Sequence, residues 1–290
     1  MQDIGILKQA LPYLRKFKGA LFVIKFGGEA MRSKETLHAL AEDIAFIHSV
    51  GIRLIIVHGG GKQITDMEKR LGYESRFVGG RRVTDEGSLE ALKMVLGGSL
   101  NLELTAVLQK FGVQAAGLSA ASGRTVEVTR RPPTKVSGSG EEIVDFGFCG
   151  QVHSVNTHLL GTLLGAGFLP VVSPICCDAE GQLLNVNADV VSSRIATAFN
   201  ADKLLLMSDK LGVMADINDP TTLISTLNAE QAREAIREGI IAGGMIPKVE
   251  EALLALERGV KQVHIVSSVE PHMLLLEIFT ESGCGTMLLP

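Results

Sequence analysis

An α/β fold, with a mainly parallel sheet covered by helices on both faces, is what this 290-residue sequence predicts. Two observations carry the prediction. Apolar runs of strand length alternate along the chain with longer segments whose apolar residues recur at helical spacing. Two of those runs, LFVIKFGG (21–28) and IRLIIVHGGG (52–61), end in glycines, at the strand ends where open parallel sheets bind their ligands.

The first eighteen residues stand apart from the alternating body. Ile4, Leu7, Leu11, Leu14 and Phe17 share one face of a helix that Pro12 should kink. Such a stripe must bury against something, either its own domain or a neighbouring subunit. Leu21, Phe22, Val23, Ile24 and Phe26 then form a buried strand, interrupted by Lys25. SKETLHALAEDIAFIHS is a helix with Ser33 as N-cap and Leu37, Leu40, Ala41, Ile44 and Ile47 along its apolar face. The run 52–61 leads into the helix KQITDMEKRLG. TDEGSLEALKMVLGGSLNLELTAVLQKFG reads as two helices broken at Gly97-Gly98. VQAAGLSA and TVEVTR are strands, and 130–142 is a loop or hairpin rich in Gly, Ser and Pro. A helix over 154–167 precedes the strand LPVVSPI. ADVVSSRIATAFNA is a helix, KLLLMSD a strand, AEQAREAIREG and IPKVEEALLALERG helices, and KQVHIVS a strand.

Composition narrows the function. A formal net charge of −4 argues against general nucleic-acid binding. Cys149, Cys176, Cys177 and Cys284 have neither a zinc spacing nor a disulfide framework, and are expected as reduced thiols of a cytoplasmic protein. No leader-like apolar run opens the chain and no unbroken apolar segment reaches the length of a membrane span, so no membrane association is expected.

Lys25 poses the first chemical question, because an ammonium buried without a partner costs several kcal/mol. The loop VHGGGK is not a P-loop: Gln63 stands where Ser or Thr is required. Nor is it a dinucleotide fingerprint, since Ile64 occupies the last glycine position. Bare N–H groups at a helix start still suit an anion, although a tight turn accounts for either glycine loop equally well. In LNVNAD, Asn185, Asn187 and Asp189 alternate along extended chain and share a direction. Asp189 serves there either as a plain N-cap or as a site residue. Lys248 follows a glycine pair and Pro247 near a helix start, the unfavourable end for a cation; a surface lysine is the alternative. Arg81 and Arg82 of GRRVTDE can fork onto a carboxylate, and Asp209 ends a strand.

Taken in order, IKFGGEAM, VHGGGKQI, GRRVTDE, LNVNAD, LLMSDKLGV, GGMIPKV and GCGTM resemble the amino acid kinase family over nearly the whole chain. Within it they are most similar to the members that phosphorylate N-acetyl-L-glutamate. The resemblance implies a three-layer αβα sandwich around one continuous sheet. It implies an oligomerisation helix over 1–18, an N-acetylglutamate-binding lobe over 19–200 and a nucleotide-binding lobe over 201–290. The implied reaction moves the γ-phosphoryl of ATP onto the side-chain carboxylate, the second step of arginine biosynthesis. Lys25 and Lys248 would be catalytic, approaching the transferring phosphoryl from its two sides, with Asp189 holding both and keeping them protonated. Pre-positioned ammonium groups suit a reaction that gathers negative charge. A carboxylate nucleophile is ionised at neutral pH and needs no general base, so His58 is assigned a structural role.

The same resemblance gives Gly60, Gly61, Arg82 and Asn185 to the substrate, and Gly27, Gly28, Asp209 and Gly212 to the nucleotide. Mg²⁺ would arrive with ATP, held mainly by phosphates and water, with no metal cage of protein ligands. ALPYLRKFKG is similar to the extra helix of arginine-inhibited members, which assemble as hexameric trimers of dimers. Inhibition by L-arginine is therefore expected, with Tyr13, His264, Glu277, Gly283 and Gly285 near the effector; docking of a PII-type regulator is left open. Two departures stand out: Arg81 where the family usually has Leu, and Lys210-Leu211 where it often has Val with Pro, Glu or Ser. A kinase for a carrier-linked aminoadipate would want a basic docking face, an aspartokinase further regulatory domains, and a carbamate kinase no N-terminal helix. A non-catalytic arginine sensor would have no reason to keep Lys25, Asp189 and Lys248 together.

Overall fold

The computed structural model describes residues 2–135, 143–217 and 219–290, with the side chains of residues 2–9 outside the description. One eight-stranded sheet runs through it. Its order is Thr226–Asn228, Thr286–Leu289, Val263–Ser267, Lys203–Ser208, Leu21–Phe26, Arg53–His58, Leu169–Ser173 and Ala115–Ser119. The neighbouring strands are parallel except for Val263–Ser267 against Thr286–Leu289. Leu21–Phe26 lies in the middle and is buried along its whole length.

Side chains alternate across the sheet. Val23, Val57, Leu204 and Leu206 face one layer with the helices Ala188–Ala198 and Met245–Glu257. Phe22, Ile24, Phe26 and Leu205 face the other with Lys34–Ser49, Leu100–Lys110 and Met273–Phe279. Two covered faces explain the near-continuous apolar strands. A separate four-stranded sheet and the hairpin Arg76–Val78/Arg81–Val83 are added among residues 76–185.

The expected αβα layering is present, with local differences. The glycine pair 97–98 does not break the helix. Val95–Ser99 forms a wide π-turn that joins Glu86–Met94 to Leu100–Lys110. Val95, Leu96 and Leu100 pack there with Ile64, Leu92 and Ile175, and this burial overrides the glycine penalty. The resulting Glu86–Lys110 helix is long and apolar enough to cross a membrane by length and composition, yet Leu104 and Leu108 are buried in the protein's own core. The helix expected from 154 starts at His158, because Gly150–Val155 is a strand. Thr134–Lys135 and Ile143–Val144 pair as a hairpin; 136–142, the rest of that expected loop, lie outside the described residues. All four cysteines are free thiols.

The first helix runs unbroken from Gln2 to Phe17 through Pro12. Ala10, Tyr13, Leu14 and Phe17 pack on the core of the same chain, next to Met273–Phe279. Leu11, expected in the buried stripe, is 43% exposed. Ile4 and Leu7 fall among the side chains not described.

Candidate active site

The question posed by Lys25 is answered by Asp189. Lys25 shares its strand face with Val23 and so points toward the helices Ala188–Ala198 and Met245–Glu257. Its Nζ lies 2.7 Å from Asp189 Oδ1. Lys248 Nζ donates to the same carboxylate, 3.1 Å from Oδ2 and 3.2 Å from Oδ1. Asp189 is the second residue of its helix, and its backbone N–H donates to the Asn187 side chain, which is the N-cap. Asp189 is therefore not itself the cap, and its carboxylate is free to bridge the two lysines. An anion in a first turn also gains from the helix dipole.

Electrostatics follow from this geometry. Burial favours the neutral acid, but Lys25 and then Lys248 outweigh it and bring the Asp189 carboxyl down to about 2. At Lys248, burial and the neighbouring Lys25 ammonium lower the pKa below the ordinary lysine value, against the pull of Asp189. Asp189 thus pulls Lys248 toward its protonated form, while burial and the Lys25 charge pull the other way and set the direction of the shift.

A cleft of about 830 Å³ opens beside Lys25 and Lys248. Of the residues assigned to the nucleotide from the sequence, Gly27, Asp209 and Gly212 line it and Gly28 does not. Apolar lining comes from Met207, Val213, Met214, Ile217 and Ile240. The turn Gly239–Met245 also contributes, with Gly243 and Gly244 exposing bare backbone; the GGMIPKV motif carried that signal, read then only for its lysine. A Cβ on Gly27 or Gly61 would meet nothing within 4 Å, so both leave backbone open. The other glycines are needed for packing. A Cβ on Gly60 would fall 2.5 Å from Leu100 Cδ1, one on Gly212 2.6 Å from Thr286 Oγ1, and one on Gly28 2.1 Å from Gln63 Oε1.

Arg82 is engaged within the protein. Its Nη1 pairs with the fully buried Glu68, and its Nη2 donates to Gly61 O at 3.0 Å and Thr65 Oγ1 at 2.8 Å. The guanidinium also lies over the Phe77 ring, 4.6 Å from its centroid. In this conformation it holds the Gly61 loop and presents no free fork to a ligand. Asn185 Nδ2 donates to Thr84 Oγ1 at 3.1 Å. His58 is buried; burial pushes its pKa down to about 4, and Asn101 Nδ2 donates to its Nε2 at 3.0 Å. With His58 Nδ1 also 3.2 Å from Gly59 O, the neutral imidazole is held at both nitrogens, consistent with the structural role expected of it.

Far from the cleft, the residues grouped around the expected effector do meet. His264 Nδ1 and Glu277 Oε1 are 2.5 Å apart, and Glu277 Oε2 accepts from the N–H groups of Cys284 and Gly285. Gly283 has φ 61°, and a Cβ there would lie 2.7 Å from Glu277 Oε2. Tyr13 is linked to this network through Phe17, with ring centroids 6.3 Å apart. Sequence reasoning missed Lys203, whose Nζ is 2.7 Å from His264 Nε2 and 5.2 Å from the Phe17 centroid. Burial lowers the Lys203 pKa to about 8.

A sheet bearing glycine turns at its strand ends, with two lysines sharing one carboxylate beside a nucleotide-sized cleft, defines a phosphotransferase class, and the chain belongs to the amino acid kinase family, whose profile matches residues 20–267. Its curated relatives include the acetylglutamate kinase of Moorella thermoacetica, 45% identical over 291 residues covering 100% of this chain and 98% of that one. The acetylglutamate kinase of Methanocaldococcus jannaschii is 48% identical over 289 residues, covering 99% and 96%. Among solved structures, N-acetylglutamate synthase from Neisseria gonorrhoeae, complexed with coenzyme A and N-acetyl-glutamate, superposes with a TM-score of 0.85 at 26% identity. The match covers 99% of this chain but 63% of that one. Carbamate kinase from Giardia lamblia bound to AMP-PNP, at 17% identity and a TM-score of 0.68, shares the fold.

Proposed function

We infer that the cleft and the Lys25–Asp189–Lys248 triad carry out phosphoryl transfer from ATP to the side-chain carboxylate of N-acetyl-L-glutamate, giving N-acetyl-L-glutamyl 5-phosphate in arginine biosynthesis. The single observation that carries the mechanism is the shared carboxylate: two buried ammonium groups meet on Asp189. Phosphoryl transfer asks the protein mainly to position charge. One carboxylate between two ammonium groups leaves a net positive centre beside the cleft. The acceptor carboxylate is already ionised at neutral pH, so it attacks without a general base. Lys25 and Lys248 stabilise the charge that spreads over the transferring group, and Asp189 keeps them oriented.

The apolar part of the cleft suits a nucleotide base, and its volume falls within the usual range for small-molecule sites. Gly27 and the turn at Gly243-Gly244 offer backbone to the phosphates, with Asp209 and Gly212 farther along. Mg²⁺ accompanies ATP as part of the substrate, neutralising phosphate charge while phosphates and water hold it. On the acceptor side, Gly61, Arg82 and Asn185 meet N-acetylglutamate, with Gly60 setting the approach of the loop. Arg82 clamps the α-carboxylate by exchanging a present partner for the ligand. Residues 19–200 thus serve mainly the acceptor and 201–290 mainly the nucleotide, in a cytoplasmic enzyme. A hydroxylamine trap of the acyl phosphate tests the reaction. MgATP with N-acetyl-L-glutamate should give hydroxamate, while N-acetyl-L-aspartate and free L-glutamate should not. Equal product from either alternative would overturn the substrate assignment.

The buried cluster of Lys203, His264 and Glu277 beside the first helix supports a further reading, in which L-arginine inhibits a hexamer built through residues 1–18. Deleting those residues should leave a smaller, arginine-insensitive enzyme. A truncated protein that still elutes as a hexamer on a sizing column would refute it. A PII-type regulator would then dock on that ring.

A further inference from the structure

We propose that Gln63 is a positioning residue for phosphoryl transfer, tying the acceptor-side glycine loop to the nucleotide-side one; the proposal rests on the reaction inferred above. Gln63 is the third residue of the helix Gly61–Leu71, and its Nε2 donates to Gly28 O at 2.8 Å. Gly28 follows the strand that carries Lys25 by two residues and opens the turn Gly28–Met31. The amide therefore spans the two strand ends between which the transferring group must sit. The loops already touch through backbone. Gly59 N–H donates to Phe26 O at 2.8 Å, and a Cβ on Gly59 would lie 3.7 Å from Gly27 Cα. A Cβ on Gly28 would lie 2.1 Å from Gln63 Oε1, so a larger residue there would displace the amide from its present position.

The other half of that amide is the telling feature. Gln63 Oε1 is buried with no hydrogen-bond partner among the described residues. A half-satisfied buried amide is a stability cost. A methionine would fill the same space without an orphan acceptor. A side chain that is poor for stability yet holds two ligand loops in register matches the pattern of stability given up for function.

The experiment compares native enzyme with Gln63→Met, reading kcat and both KM values by the hydroxamate assay and the melting temperature of each protein. Losing the strut shifts donor and acceptor relative to each other, so kcat should fall by about 10- to 100-fold. Both KM values should stay within about threefold, and the melting temperature should hold or rise. A kcat within about threefold of native overturns the proposal, as does a raised KM at unchanged kcat, which would make Gln63 a binding residue. A kcat loss accompanied by a lower melting temperature makes Gln63 structural and also overturns it. If Gln63→Met does not fold, Gln63→Leu decides by the same readouts, and failure of both to fold makes Gln63 a fold determinant. Native enzyme that yields no hydroxamate would overturn the reaction itself, an outcome distinct from all of these.

Discussion

Asp189→Asn removes the one anion that Lys25 and Lys248 share. The native carboxyl is depressed from 3.8 to about 2 by the two lysines, and each tenfold change in proton affinity is worth about 1.4 kcal/mol. The fold thus favours the ionised form by about 2–3 kcal/mol. Because the pKa is lowered, this stabilisation is fully present above the unfolded value of 3.8 and is lost as pH falls through about 2. At neutral pH the amide forfeits it and leaves two ammonium groups facing each other. Lys248, already below the ordinary lysine pKa, should drop further. Removing a pre-positioned charge of this kind costs about 10²–10³ in kcat. The hydroxamate assay should therefore show at least a hundredfold loss, roughly 2.7 kcal/mol. Residual turnover should rise as pH is lowered and the Lys248 proton returns, whereas native turnover should not. A loss smaller than about tenfold, or a variant with the native pH profile, would refute the shared-carboxylate mechanism.

Two predictions concern stability, read by thermal melts. Gly60→Ala places a methyl 2.5 Å from Leu100 Cδ1 and 2.8 Å from Leu96 Cδ2, so overpacking should cost about 1–3 kcal/mol. Gly61→Ala, into open space, should cost clearly less, and equal melting temperatures for the two variants would contradict the packing argument. The second concerns Asp43, 2% exposed and held by His272 Nδ1 at 2.7 Å. Burial raises the Asp43 carboxyl to about 6, and the hydrogen bond to Asp43 raises His272. Both pKa values lie above their unfolded ones, so the stabilisation is present at low pH and fades as pH rises through about 6 and beyond. His272→Ala leaves the Asp43 charge without its partner, and its melting temperature should fall more steeply than native between about pH 5 and pH 7. Parallel curves would show that the pair carries no pH dependence.

The layered sheet was legible because a strand buried on both faces must read as a continuous apolar run, so the lone charge in LFVIKF announced a site. Its partners were not legible from spacing. Asp189 and Lys248 are 59 residues apart, and only the order of motifs joined them. Arg82 shows the opposite failure. Its guanidinium was assigned to a substrate carboxylate with no partner inside the protein in view, but Glu68 looks like one more charge on the solvent face of KQITDMEKRLG and is in fact fully buried against it. Lys203 sits at the start of an apolar strand, where a charge usually marks a solvated end; here the first helix covers it. At Gly97-Gly98, local propensity argued for a break that burial of Val95, Leu96 and Leu100 overrode. Each miss is a long-range contact that no local pattern records.

The helix starts around the triad reveal how the site divides the charge between protein and ligand. The helices after Ser33, Asp85 and Asn228 each have an N-cap side chain accepting a backbone N–H. Asn187 does the same for the helix that carries Asp189, where the protein supplies its own anion. The helices after Gly60 and Gly244 have no side-chain cap. At the Gly244 start Met245 and Ile246 donate to Ala242 O and Gly243 O and Pro247 has no N–H, so an anion there would meet the positive end of the dipole and Lys248 rather than open donors. Gly244 lines the cleft, and its helix carries Lys248, a cation at the end a helix tolerates least. A cation at that end costs stability in the empty protein and becomes favourable when an anion arrives. MgATP should therefore raise the melting temperature, by an amount corresponding to about 2.7 kcal/mol at a hundred times its Kd. The increment should shrink in Lys248→Met, where that cost is already removed. An equal increment in that variant would mean that the phosphates settle elsewhere in the cleft.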